Sequence, residues 1–393
     1  MAGWLSLCLV SVGCASGPDL DHSLNSIVKP YRFSILKWEL NTLLGTSSYD
    51  KEAGEEVVSQ YFALVGEIKS LELEIEAVRA STGEGSLSLL EAKLCKLREQ
   101  RLALAVTVEV ILRGQIKGVL AGEGIFNPLD KYMELKVNLP PVSFKLETPP
   151  HLLVISPRDR IESLREILLR QEMSLEQMEQ IEAKADKLGV SSLVVELGGL
   201  AATYPSFVAA ENSLRHTIDT AIEEWLHQYL AFTPLGFLYL LDQTGLSRNY
   251  EIATINETVA SMVGKEIGAT LCEQYYPGCE DSEKPEAASG FDFNREMREI
   301  RKAVDEYIAQ GEIMRAEEFM EQKRQYLASK GYYIRKLNQA YFAFHGTYAD
   351  KPTSISPIGP ELKDLRNRSA SVKDFLDKVS GMTSRQRLGE AIK

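Results

Sequence analysis

The sequence predicts an α+β fold that is mainly α, with an antiparallel helical hairpin followed by a second domain that holds a small β-sheet and a helical remainder. Three observations carry this expectation. Apolar residues recur at alternating steps of four and three between Val57 and Ile111, the seam of paired helices. Prolines then punctuate short β-rich runs from Asn138 to Val208, as strands joined by turns require. Helical periodicity returns after that and dominates to the end.

The chain has 393 residues, 44% hydrophobic and 25% charged, a globular composition with room for two or three domains. Its formal charge of -12 repels polyanions, which sets nucleic acid aside as a partner.

Residues 1–24 read as a leader and linker. MAGWLSLCLVSVGCASG is a short apolar run closing on small residues and Cys14, and it resembles the signal peptide of a bacterial lipoprotein. That resemblance implies an exported, envelope-tethered protein whose membrane contact is a lipidated Cys14. Two departures stand against it: no Lys or Arg precedes the run, and Ser11 sits where the lipoprotein pattern has Leu. A buried N-terminal strand or helix is the alternative. No later run can span a bilayer, since AFTPLGFLYLL is short and LALAVTVEVILRGQIKGVLA contains Glu109, Arg113 and Lys117.

Residues 25–135 form the hairpin domain in this reading. Val57, Tyr61, Leu64, Ile68, Leu71, Ile75 and Val78 line one helix, STGEGS makes the turn, and Leu87, Leu90, Leu94, Leu97, Leu104, Val108 and Ile111 line the other. Arg101 occupies the one missing seam position. Such a hairpin serves as a spacer or as a docking arm for a protein partner. Cys95 falls within the second helix and reads as a small core residue.

The second domain covers 136–393. LLVIS is a strand, and Asp159 caps a helix expected to follow it. Ser174 with Gln177 makes a capping box for a helix that ends at Gly189. SSLVVEL and TYPSFV flank Gly198 and Gly199 as a hairpin. Cys272 and Cys279 flank EQYYPG, a spacing that either closes a small disulfide loop in an oxidising compartment or leaves two thiols.

The chemistry concentrates on a helix from about Asn212 to Phe232. His216, Thr220, Glu223 and His227 step by four, three and four along one face, while Leu214, Ile218, Ile222, Trp225 and Tyr229 mark an apolar one. Side chains at i and i+4 bite a single metal ion, so Glu223 and His227 stand where the ligands of a zinc-peptidase helix stand, with Glu224 beside them. A later helix, ATINETVASMVGKEIG, presents Glu257 after Asn256, with Ala260, Ser261, Gly264 and Gly268 small enough for close approach to a neighbour.

EEWLH followed by NETVA resembles the gluzincin class of zinc metallopeptidases. With VKPYRFSILKWELN, PPHLLVISPRDRI, FDFNREMREIRK and YYIRKLNQAYFAFHGTYADKP, the chain after Asn25 looks like a little-characterised family of exported bacterial zincin-like proteins. The resemblance implies a zincin-like domain, a peptide or protein substrate, Glu224 as general base, and His227 and Glu257 as metal ligands. Glu223 falls on the first histidine of the usual H-E-x-x-H helix.

That replacement has a physical cost. A carboxylate in place of neutral imidazole leaves a bound divalent ion formally neutralised and a weaker Lewis acid. Zinc is the expected ion, and the harder oxygen set admits manganese. Three readings therefore stay open: a metal-dependent peptidase, a pseudo-peptidase serving as a binding or scaffolding module, and a structural helical lipoprotein whose Glu223 and His227 are surface residues. A di-iron bundle would need a second E-x-x-H helix, and the sequence offers none.

From Phe291 the chain is helical and charged, interrupted at Gly311 and Gly331. Asn338, Tyr341, His345 and Tyr348 share one face. In zinc peptidases a tyrosine or histidine outside the metal shell stabilises the oxyanion, a role open to Tyr341, His345 or Tyr348; an aromatic packing stripe is the alternative. DKPTSISPIGP is a proline-bearing loop, and the basic tail with Arg366, Arg368, Lys373, Arg385 and Arg387 reads as solvated surface.

Overall fold

A computed structural model describes residues 18–44, 54–80, 87–128, 136–210, 213–279 and 291–393. Cys14 and the expected leader lie outside them. The architecture is α+β and mainly helical, with two small sheets.

Helix α1 (Pro18–Val28) and helix α2 (Ile35–Leu44) lead into two long helices, α3 (Glu55–Ala80) and α4 (Leu87–Gly122). Leu64, Ile68, Leu71 and Ile75 of α3 bury against Leu90, Leu94 and Leu97 of α4. Arg79 pairs with Glu91 at 2.7 Å and Glu72 with Arg98 at 2.6 Å, so the partners climb one helix as they descend the other. Cys95 is exposed rather than in the core, because its position points away from the seam formed by its neighbours Leu94 and Leu97. Past Arg101 the second helix changes role. Val108, Leu112, Ile116 and Leu120 repeat every four residues and enter the main core with Trp225 and Val259. Glu109 goes in with them. It accepts the backbone N–H of Leu146 at 3.0 Å and pairs with Lys145 at 3.1 Å, which gives a buried charge the partners it needs.

One sheet places β2 (His151–Ser156) between β3 (Arg165–Leu169) and β4 (Ser191–Val195), with Leu153 opposite Ile167 on one side and Val194 on the other. All six β2 residues are buried. A strand buried on both faces and hydrogen-bonded on both edges explains why no helix follows Asp159: Leu164 donates to the Ile155 carbonyl at 2.7 Å and the chain returns as β3. Helix α5 (Leu175–Asp186) covers this sheet with α1. Its capping box of Ser174 and Gln177 forms, and Gly189 takes a positive φ of 81° beyond its end.

The second sheet has the order β1 (Phe144–Leu146), β6 (Ser206–Val208), β5 (Gly199–Leu200), with β1 parallel to β6 and β5 antiparallel to it. SSLVVEL and TYPSFV therefore do not pair with each other. Strand β4 completes the first sheet and β6 the second, and Gly199 lies in a strand instead of a turn.

Helix α6 (Leu214–Leu230) starts on the Ser213 cap and buries Ile218, Ile222, Trp225, Leu226 and Tyr229. Thr233 caps α7 (Pro234–Gln243), whose first residue is proline, and Asn249 caps α8 (Tyr250–Tyr275). Helices α6 and α8 cross closely. A Cβ on Gly264 would lie 3.0 Å from the Asp219 carbonyl, and one on Gly268 would collide with the Asp219 carboxylate.

Helices α9 (Phe293–Ala309) and α10 (Ile313–Ser329) make a separate layer around Ile300, Val304, Ala316 and Met320. Short α11 (Gln339–His345) follows, and Asn338 both caps it and donates to the Ser192 carbonyl at 2.9 Å. The tail is three packed helices, α12 (Ile358–Asn367), α13 (Val372–Ser380) and α14 (Arg385–Ala391). They bury Leu362, Phe375, Leu376 and Leu388 in the main core. Two of its basic residues are engaged, Arg366 with Glu266 at 2.6 Å and Arg385 with Glu361 at 2.9 Å, while Arg368 and Arg387 are exposed. Among the described residues no helix is long and apolar enough to cross a membrane.

Candidate metal centre

One turn of α6 presents Glu223, Glu224 and His227. The crossing helix α8 presents Asn256 and Glu257, α7 presents Tyr239, and the loop after α11 presents Tyr348. One carboxylate oxygen each from Glu223 and Glu257 and one ring nitrogen of His227 lie within 4.8 Å of one another. His227 and Glu257 are 9% and 13% exposed, so the group is set into the protein with limited access to water.

The imidazole is aimed from behind. His227 Nδ1 donates to Asn256 Oδ1 at 2.8 Å, which leaves Nε2 as the lone-pair nitrogen. That nitrogen faces Glu257 Oε2 at 3.4 Å. Two acceptors facing each other need a positive charge between them. A proton supplies it in one state, and a divalent ion fits the same chemistry in another. One imidazole nitrogen with two carboxylate oxygens is a donor set suited to zinc or manganese.

Glu257 is held from its other side. Tyr239 donates to its Oε1 at 2.5 Å, Tyr348 hydrogen-bonds to it as well, and the Tyr239 ring stacks on His227 with centroids 5.6 Å apart. Burial would raise the Glu257 carboxyl, but the His227 charge and these hydroxyls hold it below the usual carboxylate range. The neighbouring acids have less of this support, Glu224 gaining only the Ala201 backbone N–H. Burial pushes Glu223 up to about 7 and Glu224 up to about 8, against the opposing pull of His227. For His227 itself burial works to lower the pKa, and the carboxylates of Glu257, Glu224 and Glu223 outweigh it, raising the imidazole to about 10.

Glu224 leaves the ligand group and turns toward β5. It accepts from the Ala201 backbone N–H, and a Cβ on Gly199 would come within 2.6 Å of its Cγ. Only glycine leaves that space. Gln228, one turn on, donates to the carbonyls of Ala201 at 3.1 Å and Thr203 at 2.9 Å, fastening this segment along α6.

Tyr341 and His345 lie on α11, ahead of Tyr348. Their rings meet at a tilt of 52° with centroids 4.3 Å apart and pack edge-on to Phe342 and Phe344. Burial raises the Tyr341 hydroxyl to about 12 and lowers His345 to about 4. Among the described residues neither makes a hydrogen bond or ring contact to Glu223, Glu224, His227 or Glu257. Of the aromatic stripe, it is Tyr348 that reaches Glu257. Tyr239 carried no signal in the sequence, being one hydroxyl within an apolar helix. His216 shares the α6 face with Glu223 but lies two turns away, lining a cavity of about 340 Å³ beside Gly198.

A cavity of about 120 Å³ opens next to Glu257, lined by Glu162, Glu166, Asp242, Arg248 and Tyr348 among others. Burial raises both Glu166 and Asp242. The Lys351 ammonium lies 4.3 Å from the centre of the Tyr348 ring. No family model, curated protein or solved structure matches this chain.

Proposed function

We propose that this chain is a metal-dependent peptidase of gluzincin type, with Glu223, His227 and Glu257 holding a zinc or manganese ion. The observation that supports this reading is the convergence of those three donors, two from one helix turn and one from a crossing helix, with the imidazole aimed by Asn256. A divalent ion held there supplies Lewis acidity to a peptide carbonyl and to a water molecule.

The protein's own groups do the rest. Glu224, fixed by the Ala201 N–H under the edge of β5, takes the proton of the attacking water and returns it to the leaving amine. Tyr239 and Tyr348 keep Glu257 ionised and in place. The carboxylates around the adjoining cavity favour a substrate end that carries positive charge. Tyr341 or His345 would stabilise the oxyanion in this reading. In this reading α6, α8 and β5 are the core of a zincin-like domain, helices α3 and α4 are a docking arm, and Cys14 tethers the protein to a bacterial envelope.

A second reading has its own observation. His227 and Glu257 form a 3.4 Å ion pair supported by two tyrosines, so a single proton closes the centre without an ion. This favours a pseudo-peptidase that keeps the cleft as a binding or scaffolding surface. Cleavage of a mixed peptide library by the purified chain with added zinc or manganese separates the two. Hydrolysis lost in Glu224→Gln, with ion uptake retained, supports the peptidase; no cleavage by either protein supports the scaffold.

A further inference from the structure

The sequence left Cys272 and Cys279 either joined or separate, and nothing in the proposed reaction uses them. Cys272 lies in the last turn of α8, the helix that carries Glu257, and is 4% exposed. The chain then reverses. The Tyr276 N–H donates to the Cys272 carbonyl at 2.8 Å, the Cys279 N–H donates to the Tyr276 carbonyl at 2.9 Å, and Gly278 takes a positive φ of 92°, a conformation that suits glycine. This turn carries Cys279 back onto Cys272, and the two thiols hydrogen-bond to each other.

The turn is also clamped from outside. Tyr276 donates to Gln115 of α4 at 2.8 Å, and Cys279 packs against the main core. The sulfurs are therefore held together by tertiary structure as well as by the short loop. Cys95, the other cysteine among the described residues, is on the exposed face of α4, in a different part of the molecule.

We propose that Cys272 and Cys279 are an oxidisable pair that forms an intrachain disulfide by exchange with a disulfide oxidant. Cys279, the less buried of the two, attacks as thiolate on the oxidant's S–S bond, forming a mixed disulfide and releasing one thiol. The Cys272 thiolate then displaces the second thiol and forms the Cys272–Cys279 bond. The oxidant gains the two electrons, and the protons lost by the two thiols end on its released thiols. The hydrogen bond with Cys279 and then burial push the Cys272 thiol up, which suits it to resolve rather than attack. The product staples the end of the helix that bears Glu257 to the turn that leaves it.

The test uses the purified full-length chain, treated with oxidised glutathione, alkylated and digested for peptide mapping. The expected result is a peptide pair linked through Cys272 and Cys279 that dithiothreitol separates, with Cys95 modified independently. In Cys279→Ser the linkage should vanish and Cys272 should stay unmodified while the fold is native. The proposal is overturned if both sulfurs are alkylated after oxidation, if Cys279 remains a stable glutathione adduct, or if Cys272 in the variant links to Cys95. This result is independent of whether the centre binds an ion.

Discussion

His227 donates its Nδ1 proton to Asn256 Oδ1 at 2.8 Å, across the crossing of two helices. This contact decides which nitrogen faces Glu257, so the proposed ion binding depends on it. Replacing Asn256 by Ala should weaken ion affinity by about 10- to 100-fold, the usual effect of losing a partner behind a ligating histidine. Asn256→Asp keeps an acceptor and should retain more of the affinity. Competition against a chelating dye measures both, and an Ala variant that binds as tightly as the parent would sink the assignment.

Gly199→Ala drives a methyl group into the Glu224 carboxylate, whereas a Cβ at Gly198 meets only His216 Nε2 at an ordinary 3.7 Å. The expected outcome is peptide hydrolysis lost in Gly199→Ala and kept in Gly198→Ala, with ion uptake intact in both. The clash should also cost roughly 1–3 kcal/mol of stability, read from denaturant unfolding.

Ion uptake should strengthen with pH. The ion-free centre holds protons on Glu223 up to about 7, on Glu224 up to about 8 and on His227 up to about 10. Binding must expel those on the ligands, so affinity falls as protons are added. Calorimetric titration at pH 6 and pH 8 should show an increase of about tenfold or more toward the higher pH, with proton release on binding. Affinity unchanged over that range would contradict the buried carboxylate cluster.

His345 gives a separate pH signature. Burial lowers it from 6.5 to about 4, so the unfolded chain binds its proton first. The neutral ring's contribution is fully present above pH 6.5 and is lost as pH falls through 4, to a total of roughly 3 kcal/mol. His345→Phe should flatten the stability curve in that window alone. Urea unfolding at pH 7, 5.5 and 4.5 checks it.

The sequence made the local parts legible and left the long-range ones hidden. Leu64, Ile68, Leu71 and Leu97 are buried where a seven-residue period puts them, because that period depends only on helix geometry. The capping box at Ser174 is equally local. Glu223 and His227 share a helix face for the same reason, and Gly264 and Gly268 explain how Glu257 comes near them. Strand partners were not legible. Phe144 lies beside Ser206 and Leu152 beside Val195, pairings fixed by burial of whole faces and by no neighbouring residue. The aromatic stripe shows the same limit: spacing put Tyr341, His345 and Tyr348 on one face, but only the packing of α8 against the following loop selects Tyr348. Buried Glu109 and Glu182 gave no signal either, since their partners Leu146 and Arg335 are far away in the chain.

Metal content tests the central claim most directly. The purified chain, loaded with zinc or manganese and freed of excess by gel filtration, should carry about one ion per molecule by elemental analysis, and His227→Ala, folded by circular dichroism, should carry none. A parent protein that emerges metal-free, or a His227→Ala variant that holds as much metal as the parent, would contradict the account.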